Sequence, residues 1–150
     1  MIALIPAFEP DGRLVELIRR LGRPAVVVDD GSGPAYAPIF DQVRALGAQV
    51  LTHTRNRGKG CALKTGFAFV RRHFPGVGVV CADSDGQHRP EDINAVAERV
   101  ESSGAPMVLG ARRFTGDVPA RSRFGNALTR KVFRLATGRA IAFDRKAKGA

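Results

Sequence analysis

The sequence predicts an α/β fold with a largely parallel sheet, and three observations carry that expectation. Short apolar runs alternate with segments of helical period along the whole chain. The apolar runs have the length of strands buried on both faces. No internal repeat or low-complexity linker interrupts the alternation, so the 150 residues fit a single domain with one core.

The predicted strands cover residues 2–5, 25–28, 49–52, 77–82 and 107–109. After the first strand, Leu14, Leu17, Ile18 and Leu21 recur at i, i+3, i+4 and i+7, which makes one apolar stripe facing the sheet. A helix with Leu63, Phe67 and Val70 precedes the fourth strand. The next helix repeats the stripe with Ile93, Val96, Ala97 and Val100. Pro90 suits its first turn, where a missing N–H has no partner to lose, and Glu91 and Asp92 complement the positive end of the helix dipole. A last helix, over residues 122–137, sets Phe124, Leu128, Val132 and Leu135 on one side and Arg123, Arg130, Lys131 and Arg134 largely elsewhere. It is amphipathic and basic, suited to protein or to lipid headgroups.

Composition excludes some classes. No apolar run approaches the roughly 18 residues of a membrane-spanning helix, and MIALIPAF lacks the charged and then apolar regions of a secretory signal, so a cytoplasmic protein is expected. Cys61 and Cys81 have neither CxxC spacing nor a ligand pattern of histidines around them, and are expected to be small core residues in a reducing compartment. The net charge of +10 is concentrated at one end: residues 1–110 hold 13 Lys/Arg against 12 Asp/Glu, and residues 111–150 hold 11 against 2. Such an end suits an anionic partner. A nucleic-acid partner is not expected, because the basic residues are not interleaved with stacking aromatics and no reader motif is present.

In open α/β sheets ligands bind beyond the carboxyl ends of the strands. Here Pro6, Ala7, Phe8 and Glu9 follow the first strand; Asp29, Asp30, Gly31, Ser32 and Gly33 follow the second; and Asp83, Ser84, Asp85, Gly86, Gln87 and His88 follow the fourth. Carboxylates gathered at one edge repel unless a cation neutralises them, which points to a metal. In an extended segment Asp83 and Asp85 would project to the same side and reach one ion, with the Gln87 amide oxygen a step further. Hard oxygen ligands favour Mg²⁺ or Mn²⁺. The loop Arg55-Asn56-Arg57-Gly58-Lys59-Gly60 precedes a helix and would turn backbone N–H groups toward phosphate. It is not a Walker loop, since Leu63 rather than glycine precedes Lys64-Thr65. Gly31-Ser32-Gly33-Pro34 likewise lacks the third glycine of a dinucleotide-binding turn. Arg112 and Arg113 follow the fifth strand and Arg121 and Arg123 open the last helix, all placed to approach the same edge, where their planar forks suit phosphate.

With these residues in order, the chain resembles the family-2 glycosyltransferases of the GT-A fold, especially the branch of dolichyl-phosphate mannosyltransferase-like bacterial enzymes. The matching segments are IPAFEP, VVVDDGSG, NRGKGCALKTGF, ADSDGQHRPEDI, LGARRF and PARSRFGNALTR, in family order over about residues 1–138. The resemblance implies a GT-A (Rossmann-like), mostly parallel sheet flanked by helices, in a nucleotide-sugar-binding domain over 1–138, followed by a basic, disordered tail over 139–150. It implies that Pro6, Ala7, Glu9 and Asp30 line the base and ribose of a nucleoside diphosphate sugar, with Gly58 and Lys59 closing beside the nucleotide. Asp83, Ser84 and Asp85 would form the donor's DxD segment, with Asp85 catalytic and Asp83, Asp85 and Gln87 on Mg²⁺ or Mn²⁺. Arg112, Arg121 and Arg123 would face donor or acceptor phosphate.

The implied reaction is inverting transfer of the sugar, in which the metal and arginines stabilise charge on the departing diphosphate. A hydroxyl acceptor would need a carboxylate base, whereas a polyprenyl phosphate is already anionic; the basic C-terminal helix favours the lipid phosphate and a peripheral position at the inner membrane face. The family's D-T-x-T-G-x-R segment has no counterpart after Gly138, where the chain reads RAIAFDRKAKGA, so a short or truncated form is expected. Two alternatives follow. One is a nucleotide-sugar-binding remnant without transfer. The other is a phosphatase of the haloacid dehalogenase type, disfavoured because its Asp-x-Asp belongs on the first strand.

Overall fold

The computed structural model describes residues 1–104 and 108. The expected fifth strand at 107–109 (save Val108), the last helix, Arg112, Arg121, Arg123 and the tail over 139–150 lie outside these. Residues Met1–Val108 form one compact unit. Its elements alternate as expected: β1 (Ile2–Ala7), α1 (Gly12–Leu21), β2 (Ala25–Asp29), a 3₁₀ turn (Pro34–Tyr36), α2 (Ala37–Ala45), β3 (Gln49–Thr52), α3 (Lys59–His73), β4 (Val79–Cys81) and α4 (Pro90–Ser103).

All strand pairs among the described residues are parallel, in the order β3-β2-β1-β4. The chain builds outward from β1 to β2 to β3, then crosses back through α3 to place β4 on the other side of β1. The order therefore reverses between β1 and β4, and a crevice opens there beyond the carboxyl ends.

The alternation of side chains in β1 and β2 divides the core in two. Ala3, Ile5, Ala7, Ala25 and Val27 face α1, α2 and α4 through Leu14, Leu17, Leu21, Phe40, Val43, Ile93 and Ala97. On the opposite face Ile2, Leu4, Val26 and Val28 pack with Ala62 and Val70 of α3. Burying a side chain of this size stabilises the fold by roughly 1.5–3 kcal/mol. That is why β1 and β2, covered on both sides, read as unbroken apolar runs.

Helix ends follow from local chemistry. Asp11 caps α1 by accepting from the Arg13 N–H (2.9 Å), and Gly22 ends it in the left-handed region at φ 66°. Helix α2 carries only Phe40 and Val43 as buried residues, too few for a legible apolar period. Helix α3 buries Ala62, Gly66 and Val70, and Phe67 stands 46% exposed. A Cβ on Gly66 would run into Leu4 Cδ1, so a glycine lets this helix lie close on β1.

Two expectations are corrected. The fourth strand is shorter than 77–82: Val77 donates to the Phe74 carbonyl (3.1 Å) in a turn after α3, and pairing begins at Val79. The cysteines are not core residues; Cys61 is half-buried and Cys81 exposed. Cys81 pairs with Leu4 on the α3 side of the sheet, but α3 packs on β1 and β2.

Candidate active site

At the switch point the structure forms a cleft of about 360 Å³ lined by Pro6, Ala7, Phe8, Asp30, Asn56, Gly58, Lys59, Asp83, Ser84 and Asp85. This volume lies within the range of small-ligand sites. Of the nine expected donor-site residues, eight line it. Glu9 does not: it is exposed, with φ 48°, and its backbone N–H donates to Ser32 Oγ (2.8 Å). Phe8, from the segment after the first strand, and Asn56, from the basic loop ahead of α3, line it as well.

The two adjacent acids at the end of β2 do different work. Asp29 is buried, and its Oδ1 accepts from the Ser32 N–H (2.9 Å), which fixes the turn. Asp30 is also buried, but on the cleft. Its backbone N–H donates to the Ala7 carbonyl (2.8 Å), and its Oδ1 lies 2.7 Å from His53 Nδ1 and accepts from the Arg57 N–H (3.0 Å). His53 Nε2 in turn lies 2.9 Å from Thr65 Oγ1 on α3. The segments 30–31 and 55–57 press together so closely that a Cβ on Gly31 would collide with the backbone of Arg55 and Asn56.

Burial works against ionisation of Asp30, yet the hydrogen bond from His53 and those from the backbone N–H groups of Arg57 and Gly58 together outweigh it and hold the carboxyl below its ordinary 3.8. The ionised, bonded form therefore contributes stability that is fully present above that ordinary value and is lost as pH falls through the lower folded value. The Asp30→Asn variant is expected to show a flatter acid limb in urea midpoints measured downward from about pH 5. An acid limb as steep as that of the unchanged protein would contradict this.

Across the cleft, Asp83 stands just before a turn and Asp85 within it. Asp83 stands two residues past the end of β4; its backbone N–H donates to His88 Nδ1 (2.9 Å). Asp85 Oδ1 accepts from the Gln87 N–H (2.9 Å) and its Oδ2 from Gln87 Nε2 (2.7 Å). Both carboxylates line the cleft, and the Asp85–Gln87 bonds hold the turn that follows them. Gln87 is exposed, lies off the cleft wall and presents its amide nitrogen, not its oxygen, to Asp85.

Lys59, the first residue of α3, reaches over to Asp83, with Nζ 2.5 Å from Oδ1. Among the described residues no group of three or more His, Cys, Asp or Glu is arranged to hold a metal ion. What the cleft offers is a carboxylate pair, one member of which is already neutralised by a lysine. Mg²⁺ sites commonly have that composition, with one or two carboxylates completed by water and substrate phosphate, so the residues fit a metal that arrives with a diphosphate.

The model for the family described as "Glycosyl transferase family 2" matches residues 5–144. Among curated proteins, one uncharacterized protein of Methanocaldococcus jannaschii is 31% identical, the match covering 84% of this chain and 54% of that one. A second from the same organism is 29% identical over 84% of this chain and 57% of its own length. A polyprenol monophosphomannose synthase of Mycolicibacterium smegmatis is 27% identical, over 77% of this chain and 46% of the synthase. The chain thus spans about half the length of the curated relatives it matches.

Proposed function

The chain belongs to glycosyl transferase family 2, and from that premise we propose that its cleft binds a nucleoside diphosphate sugar for inverting transfer of the sugar to an acceptor, polyprenyl phosphate being the acceptor class. The observation that carries this reading is the meeting, at one switch point, of a buried acid on one wall and a carboxylate pair with a lysine on the other. Asp30 is an acceptor suited to the base or ribose of a nucleoside. Asp83, Asp85 and Lys59 suit a diphosphate together with its cation.

Each residue then has a task. Pro6, Ala7 and Phe8 give the cleft an apolar wall against the nucleoside. The main chain around Gly58, with no Cβ there to block a ligand, lets the phosphates approach; Gly58 itself stands at φ 87° with open space beside it. Lys59 would release Asp83 and turn to the diphosphate as the donor enters, a move of one flexible side chain on the cleft rim. Mg²⁺ or Mn²⁺ held by Asp83 and Asp85 would stabilise the charge on the departing diphosphate. Gln87 would join as a ligand only after its amide rotates to present oxygen. Arg112, Arg121 and Arg123, outside the described residues, are assigned to phosphate of donor or acceptor on resemblance alone.

A polyprenyl phosphate acceptor rests on the similarity to the Mycolicibacterium polyprenol monophosphomannose synthase and on the basic composition of residues 111–150. Among the described residues no helix is long and apolar enough to cross a membrane, so contact with lipid is proposed to be peripheral. Calorimetric titration with UDP-glucose and GDP-mannose, with and without Mn²⁺, tests the reading. Metal-dependent binding of one of them is expected; no binding under either condition would sink it.

A further inference from the structure

Nucleoside recognition needs a carboxylate whose orientation is settled before the ligand arrives, because every degree of freedom left to the site is lost on binding. Asp30 meets that need through partners drawn from two separate segments. Its Oδ1 faces His53 Nδ1 at 2.7 Å, where β3 ends, and the Arg57 N–H at 3.0 Å, in the loop ahead of α3. His53 is itself held from both sides: its backbone N–H donates to the Asp29 carbonyl (2.8 Å), and Nε2 meets Thr65 Oγ1 of α3 at 2.9 Å. The side chains of Asp30 and His53 are only 4% and 7% exposed. With Asp30 ionised, Nδ1 must carry the proton that it donates, so in the neutral ring Nε2 accepts from the Thr65 hydroxyl. In that tautomer the chain runs from Thr65 through His53 to Asp30 and ends on the cleft.

We propose that His53, oriented by Thr65, is a positioning residue for the nucleoside half of the donor: it acts through Asp30, and it serves base and ribose recognition without serving the diphosphate. The inference rests on the donor reading above. Its geometric basis is the separation of the carboxylates, since the Thr65–His53–Asp30 chain joins β2, β3 and α3, whereas Asp83 and Asp85 lie beyond β4; Lys59 alone reaches from the start of α3 to Asp83, and its side chain makes no bond to His53 or Asp30.

Two conservative substitutions separate the ring's nitrogens. Asparagine places its amide nitrogen where Nδ1 stands and keeps the donor to Asp30; glutamine reaches where Nε2 stands, keeps Thr65 and leaves Asp30 without that donor. The full chain and its His53→Asn, His53→Gln and Thr65→Val variants would be titrated with UDP and GDP in the presence of Mg²⁺, and separately with inorganic diphosphate and Mg²⁺. For the nucleoside diphosphate that the unchanged chain prefers, His53→Gln is expected to weaken binding about 10- to 100-fold, Thr65→Val about 3- to 10-fold, and His53→Asn less than about threefold. Binding of inorganic diphosphate should be the same in all four.

Equal nucleotide binding by His53→Gln and the unchanged chain would overturn the proposal, as would a parallel loss for nucleotide and diphosphate, which is what a merely structural residue produces. If circular dichroism shows His53→Gln to be unfolded, the same comparison is read from Thr65→Val against His53→Asn, and an unaltered Thr65→Val then overturns it. Failure of the unchanged chain to bind either nucleotide sinks the donor reading and this inference together; failure confined to the variants' predicted pattern sinks this inference alone.

Discussion

Replacing Gly31 with alanine is expected to destabilise the fold by about 2–5 kcal/mol, the combined effect of a left-handed backbone and a collision with main-chain atoms. Gly31 sits at φ 77°, and its missing Cβ would stand 2.5 Å from the Asn56 nitrogen and 2.6 Å from the Arg55 Cα. Neither atom belongs to a side chain that turns away, so the segment 55–57 must retreat, and the Arg57 N–H would leave Asp30 with it. A loss of this size is a large share of the roughly 5–15 kcal/mol that holds an ordinary domain folded. Gly33 provides the control. It too has a positive φ, 86° with ψ 173°, a conformation open essentially to glycine, but space around it is open, so Gly33→Ala carries a backbone penalty alone, about 1–3 kcal/mol. Urea midpoints for both variants decide the matter; equal destabilisation would show that the close approach of the two segments contributes nothing.

The second large effect is on binding rather than on stability. Asp83→Ala and Asp85→Ala are each expected to weaken Mn²⁺-dependent binding of a nucleoside diphosphate sugar by on the order of 100-fold, because each removes half of the carboxylate pair that would share the cation with the diphosphate. Stability should hardly change. The Lys59–Asp83 pair is exposed on both sides, and ion pairs of that kind contribute little to folding. Calorimetry with Mn²⁺ present and absent separates the two contributions. If either variant binds the donor as the unchanged chain does in Mn²⁺, the carboxylate pair is not a metal site.

Much of this site was legible because acids at strand ends are conspicuous. Asp30, Asp83 and Asp85 stand where a parallel sheet delivers its ligand, and all three line the cleft. His53 was not singled out, although it too follows a strand, because the end of β3 carries no carboxylate and so adds nothing to a count of negative charge. Reading every strand end for any polar side chain, acidic or not, would have found it. Thr65 lay in view but only as part of a failed comparison with a Walker sequence; its contact with His53 depends on how α3 lies against the sheet, which is tertiary information. Phe8 and Asn56 stand in the expected strand-end segment and basic loop, but which residues of those segments meet the cleft depends on its curvature. Helix α2 escaped notice for a plainer reason: two buried side chains do not make a period.

The reversal of strand order between β2-β1 and β1-β4 has a consequence for how binding and folding communicate. Asp30, proposed for the nucleoside, follows β1's neighbour on one side, and Asp83 and Asp85, proposed for the diphosphate's cation, follow its neighbour on the other, so a donor occupying both halves would tie together the two flanks of the sheet across its central strand. Slipping β4 away from β1 would then require letting go of the ligand. A saturating donor should for that reason protect backbone amides of β4 and its following turn from hydrogen exchange as strongly as those near Asp30, and raise the melting temperature with the logarithm of its concentration. The ligand would behave as a removable crosspiece of the sheet.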